Sequence, residues 1–279
     1  MKRLLTSLTI AAAVLLSGCA TTPPAEQTVD LSSWSTNSLD AACVAVGLTK
    51  LNPSYWDGWD GDCPGADLDV DYWEVYCKNK GVPVIKLFNA EATQTNVVAA
   101  GVAAAKALRP GGVLILYYSG HGIQQPDRDG DEEDHKDEAL CLYDGPFLDD
   151  TIHSLFQRAR GIRIWMITDC CTSGTIARGA VQRKVVSQIR LAARTSALEV
   201  PVILYAGCDD GKVSYGNATL GGQFTFTLYT TDATEEGLTY GGTNSYFSKA
   251  APYVPEGQVP VYAEFGPVTD EFRNTEVTK

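Results

Sequence analysis

Apolar runs alternate with longer amphipathic stretches along most of the chain, a pattern that predicts a layered α/β fold. Residues 41–48 and 82–88 read as strands, and residues 67–80 between them as a helix closed by Gly81. Residues 95–108 are rich in Ala and Val and stop before Arg109-Pro110-Gly111-Gly112, which cannot extend a helix. Three further runs, 113–118, 162–168 and 200–206, are apolar throughout, as strands covered on both faces are. A helix pattern over 149–160 separates the first two, residues 222–230 predict another helix, and 259–262 a last strand. The order is βαβαβ, an acidic loop, helix, strand, linker, strand. It predicts an open, doubly wound, mostly parallel sheet flanked by helices. Ligands of such sheets bind beyond the carboxyl ends of the strands.

Two strand ends carry reactive side chains. Tyr117-Tyr118-Ser119-Gly120-His121-Gly122 closes one run, and Ile167-Thr168-Asp169-Cys170-Cys171-Thr172-Ser173-Gly174-Thr175 closes another. Of the three histidines, His135 sits among carboxylates and His153 within a helix pattern, so His121 is the candidate for proton transfer. A thiol needs a base beside it to become a nucleophile, and a histidine on the neighbouring strand end supplies one. Cys170 and Cys171 compete for that role. Cys171, at the turn into Thr172-Ser173-Gly174, is the choice, with Cys170 in the core. Gly122 lets substrate approach the main chain, and its N–H with that of Cys171 is a candidate oxyanion hole.

Composition bounds the partners. The 279 residues are 44% hydrophobic, ample for a packed core, and carry a net charge of −12. Nucleic acid is excluded as a partner for such a surface, and a cationic substrate suits it. Residues 1–18 form an export leader, with Lys2 and Arg3 before an apolar stretch over 4–16 that is too short to span a bilayer comfortably. Leu16-Ser17-Gly18-Cys19 resembles a bacterial lipobox, which implies an acylated Cys19, a tether over 19–35 and a place at the cell envelope, outer membrane included. Seven cysteines follow Cys19, so at least one thiol stays free in an exported chain; Cys63 and Cys77 are one conceivable disulfide. No Cys/His spacing suggests zinc.

The Ser-Gly-His-Gly and Asp-Cys-Cys-x-Ser-Gly-Thr tracts resemble the caspase-like cysteine peptidases, and within them the metacaspases. The acidic run over 129–138, Leu148-Asp149-Asp150 and Ala206-Gly207-Cys208-Asp209-Asp210 extend the likeness from about residue 41 to 266. The resemblance implies a peptidase domain over 36–270: a larger segment to about 176, a basic linker over 177–197, a smaller segment over 198–270, and a tail over 271–279. It makes His121 the base and Cys171 the nucleophile of a thioester mechanism, cleaving peptides after Arg or Lys. Ser119 and Asp169 line the pocket for that basic residue. Cys63 joins them, with Asp67 either reaching the pocket or capping the next helix.

The resemblance also implies that the chemistry needs no cofactor, that calcium is an activator held by Asp137, Asp149 and Asp150, and that the chain is a monomer. An EF-hand is rejected, since Glu132 stands where the loop needs glycine. Two departures touch the site: Thr172 follows the nucleophile where the family has histidine, and Arg178 stands in place of a further calcium-binding Asp. They leave a second expectation open, a catalytically inactive caspase-like binding or scaffold lipoprotein.

Overall fold

The computed structural model describes residues 37–126, 136–170, 198–208 and 214–277. In chain order the elements are β1 (Leu39–Gly47), α1 (Ala66–Asn79), β2 (Val84–Phe88), α2 (Gln94–Ala107), β3 (Leu108–Gly120), β4 (Gly122–Pro126), β5 (Lys136–Leu142), β6 (Gly145–Leu148), α3 (Asp149–Arg158), β7 (Arg163–Cys170) and β8 (Val202–Ala206). The two-residue strands β9 (Gly216–Asn217) and β10 (Gly221–Gly222) follow, then α4 (Gln223–Thr234), α5 (Tyr246–Ala250), β11 (Val261–Phe265) and α6 (Asp270–Asn274).

The central sheet has the order β11-β8-β7-β3-β1-β2, parallel except for β11, which runs antiparallel to β8. This is the expected doubly wound α/β architecture, a mostly parallel sheet flanked by helices. Side chains alternate across it because the strand period is two. Cys43, Ile115, Tyr117, Trp165, Ile167 and Tyr205 point to the side of α1, α4 and α5. Val44, Val46, Leu114, Tyr118, Met166 and Leu204 point to the side of α2 and α3. The direction of winding reverses at β1, whose neighbours are β2 on one side and β3 on the other. The carboxyl ends of β1, β3 and β7 therefore border the crevice where such sheets bind ligands.

Local sequence explains the helix ends. Gly65 enters α1 at φ 103° and Gly81 leaves it at φ 69°, values that only glycine adopts without strain. Thr93 caps α2, its side chain accepting from the Asn96 N–H at 3.2 Å.

The last residues of the expected acidic loop, 136–138, belong to a second sheet. Strands β4, β5 and β6 form an antiparallel unit in which Gln124 pairs with Glu138 and donates to its carboxylate at 2.8 Å. Carboxylate density reads as a solvated loop, yet Asp137 and Glu138 are buried strand residues. Residues 127–135, with His135, lie outside the described residues.

Candidate active site

His121 directly follows β3, and in the ladder beside it Ser119 pairs with Asp169 and Gly120 with Cys170. The strands that carry the two reactive tracts thus end side by side. His121 is buried; its ring lies 5.0 Å from that of Trp59, and its Nε2 is 3.1 Å from the Asp62 carbonyl. A carbonyl only accepts, so that contact assigns the imidazole proton to Nε2 and makes Nδ1 the basic nitrogen of the neutral ring. The backbone there is anchored as well: the Tyr118 hydroxyl donates to the His121 carbonyl at 2.7 Å, and the Cys141 N–H to the same oxygen at 2.9 Å.

Cys170 is the last residue of β7 and is buried on the α2/α3 side. Burial first, then the neighbouring Asp169, Cys141, Cys63 and Cys208, push its thiol well above the ordinary range, which suits a core thiol and not a nucleophile. Cys171 lies outside the described residues, as do Thr172 and Arg178. Gly122 opens β4, buried and paired with Leu140. Its partner in the expected oxyanion hole is the N–H of Cys171.

Ser119 and Asp169 face the α1/α4 side and meet a second carboxylate there. The Ser119 hydroxyl donates to Asp69 Oδ2 at 2.6 Å, and the Gly222 N–H to Asp69 Oδ1 at 2.7 Å. Asp169 Oδ1 accepts from the Ser214 hydroxyl at 2.7 Å, and its Oδ2 from the N–H and hydroxyl of Thr225 at 3.0 and 2.8 Å. Both acids are 0% exposed. Burial raises both above the usual carboxylate range; for Asp69 the nearby Asp169 charge adds to it, and the donors to each partly oppose it.

Asp67 corrects the sequence reading. It is exposed in the first turn of α1, and the buried carboxylate of that helix is Asp69. Helical geometry gives the reason: Ala66, Asp69, Val70, Trp73 and Tyr76 form one buried stripe, and Asp67 projects off it towards solvent. A carboxylate on the apolar stripe was the legible signal. Cys63 is buried, within electrostatic range of Cys170. It is a free thiol, as is Cys77, whose neighbour is Cys43, so the disulfide considered from sequence is not formed.

The glycine pair of β10 was not singled out from sequence. A Cβ on Gly222 would stand 2.1 Å from Asp169 Oδ2, and one on Gly221 2.2 Å from Asp69 Oδ1. No side chain fits between these carboxylates and the main chain that receives them.

Asp137 on β5 and Asp149 at the start of α3 are buried, and Asp150 is half-buried. Burial, with the charges of Glu138, Asp150 and Asp137, lifts Asp149 to about 7. Yet among the described residues no three His, Cys, Asp or Glu side chains stand close enough to hold a metal ion. The expected calcium trio does not form a ready ligand set by itself.

Residues 41–262 match the caspase domain, family Peptidase C14. Metacaspase-1 of Candida glabrata is 31% identical over 118 residues, 38% of this chain and 30% of that protein. Metacaspase-1 of Saccharomyces cerevisiae strain S288c is 38% identical over 90 residues, 30% of this chain and 21% of that protein. The chain thus spans under a third of the length of these relatives. A crystal structure of a Geobacter sulfurreducens protein superposes with a TM-score of 0.70 at 26% identity, covering 86% of this chain and all of that one. Caspase-1 of Spodoptera frugiperda superposes with a TM-score of 0.51 at 13% identity, covering 85% of this chain and 92% of that one, a likeness of fold. With the family match running through β1, the histidine strand end and the carboxylate pair as far as β11, the chain belongs to the caspase-domain family.

Proposed function

We propose that this protein is a cysteine endopeptidase of metacaspase type that cleaves peptide bonds after Arg or Lys. The observation that carries the reading is the buried pair Asp69 and Asp169, brought together with Ser119 at the carboxyl ends of the strands beside His121. Two acids held close together repel, and a cationic side chain entering between them relieves that repulsion. His121 takes the Cys171 thiol proton, and the thiolate attacks the peptide carbonyl. The amine leaves with the proton from the imidazolium, giving a thioester. Water, activated by His121, then releases the acid. No step is routed through calcium. Cys63 lies under the same strand ends and packs there as a core thiol.

Turnover of Arg-ended fluorogenic peptides beside their citrulline-ended analogues tests the reading, with Cys171→Ala and Cys170→Ala as controls. Turnover that survives in Cys171→Ala removes the proposed nucleophile; equal rates on Arg and citrulline remove the basic pocket. Binding of Arg peptides without Cys171-dependent turnover in any buffer, calcium included, would favour the binding-module alternative. The reading includes a lipid anchor at Cys19, supported by the Leu16-Ser17-Gly18-Cys19 ending. Radiolabelled palmitate retained by the wild type and lost in Cys19→Ser is the expected result.

A further inference from the structure

The donors around Asp169 form a directed network. Thr225 Oγ1 has one proton, and it lies 2.8 Å from Asp169 Oδ2 and 2.7 Å from the Tyr117 hydroxyl. With that proton given to the carboxylate, Tyr117 must be the donor in the second bond. Ser214 repeats the arrangement: its hydroxyl serves Asp169 Oδ1 and accepts from Gln258 Nε2 at 2.9 Å. Gln258 in turn is held by the Gly207 carbonyl at 2.7 Å and the Tyr215 N–H at 3.1 Å. In both branches the hydroxyl proton points towards the carboxylate, while Gln258 also donates to the Gly207 carbonyl.

We propose that Thr225, supported by Tyr117, is a positioning residue for the specificity pocket, holding the Asp169 carboxylate in the place and orientation where it meets a cationic substrate side chain. Ser214 plays the same part on the other oxygen. The inference rests on the basic-pocket reading above and adds residues to it from the segment that follows the linker.

Geometry supports more than a helix cap. Thr225 is the third residue of α4, and Asp169 does satisfy its N–H, as a cap would. A cap needs one acceptor oxygen. Here three donors converge on one carboxylate and two more on Asp69. A carboxylate has about four acceptor sites, so the donors among the described residues do not saturate either acid. Among the described residues, the titratable groups around Asp169 are Asp69 from α1, Tyr117 through Thr225 and, across the sheet in its own strand, Cys170. No cation among the described residues forms an ion pair with either acid. Hydrogen bonds to the ionised form oppose the effect of burial, so deleting one moves the carboxylate further towards its neutral form.

The test compares wild type, Thr225→Val, Thr225→Ser and Ser214→Ala on Arg-ended and citrulline-ended peptides across pH 5 to 9. Thr225→Val should raise KM for the Arg peptide about tenfold with kcat little changed, since binding of the cation and not the bond cleavage is weakened. It should also move the acid limb of kcat/KM for that peptide to higher pH and leave the citrulline peptide unaffected. Thr225→Ser should restore both, and Ser214→Ala should follow Thr225→Val more weakly. Equal losses on both peptides, or a lowered melting temperature with Arg preference intact, would overturn the proposal and leave Thr225 a structural cap. Should Thr225→Val not fold, the Ser214→Ala limb decides by the same criterion. A wild type that ignores the Arg-to-citrulline change instead removes the underlying pocket reading. Where turnover is absent, calorimetric binding of the Arg peptide to Cys171→Ala, with and without Thr225→Val, gives the same comparison.

Discussion

The two faces of the central sheet are built differently. On the α1/α4/α5 side, Trp165 packs against Trp73, Tyr205, Tyr240 and Tyr246 with ring centroids 5.2 to 6.0 Å apart, and Trp73 stacks on Tyr117 at 4.9 Å. A pocket beside them, lined by Tyr72, Trp73, Tyr76 and Tyr246, holds only about 10 Å³. On the α2/α3 side the packing is mostly aliphatic, with Tyr118, Phe147 and Phe156 among it, and a cleft of about 490 Å³ opens between the helices over β1 and β3. Leu116, central in β3, is only half-buried there. The carboxylate pair and the donors of α4 are all on the aromatic face. A site that must hold two like charges close together needs supports that do not yield, and edge-packed rings supply them.

That contrast can be broken most severely at Trp165. Trp165→Ala should cost about 3–5 kcal/mol, whereas Leu116→Ala on the cleft floor should cost about 1–2 kcal/mol, both read by urea unfolding. Comparable losses would show that the faces do not differ in rigidity.

Next in size is Asp69→Asn. Truncating one partner of a buried charge contact costs about 2–5 kcal/mol, so kcat/KM for Arg peptides should fall about 10²- to 10³-fold. Stability should respond oppositely. A carboxylate raised on folding binds its proton more tightly in the native state, so the wild type loses stability as pH rises above the ordinary carboxylate range. Asp69→Asn should flatten that decline, which thermal melts at pH 5 and pH 8 will show.

Tyr205→Phe is a smaller probe of the aromatic side. It deletes the 2.6 Å bond from the Tyr205 hydroxyl to the Tyr240 carbonyl and should cost about 1 kcal/mol. Gly101→Ala probes the opposite face with the opposite sign. Gly101 lies within α2 at the cleft, and a Cβ there meets nothing within 4 Å. Helix propensity alone should then stabilise the protein by about 1 kcal/mol. A loss at Gly101→Ala would mean that the cleft is closed in solution.

Most of the fold was legible because its signals are local. Every strand of the parallel sheet and helices α1 to α4 follow from apolar period and end residues such as Gly81 and the Arg109-Pro110-Gly111-Gly112 stop. Strand β5 was not, because Asp137 and Glu138 are charges that only burial between β4, β6 and α3 explains. Among the site residues, His121 stands at a strand end where spacing points to it, and Ser119 and Asp169 follow from the family resemblance. Asp69 was passed over for Asp67: its place on the apolar stripe of α1 marks it as buried, but only the packing of α1 on the sheet shows that it meets Asp169.

The succession of strands and helices along the chain, the doubly wound class of the sheet and the identity of the histidine were determined by the sequence itself, through periodicity and the handedness of parallel crossovers. Tertiary structure alone decided which carboxylate joins Asp169, which glycines admit the pair, and that Thr225 and Ser214 support it. Those contacts join residues as far apart as Asp69 and Gly222, and no local pattern specifies a hydrogen bond across that separation.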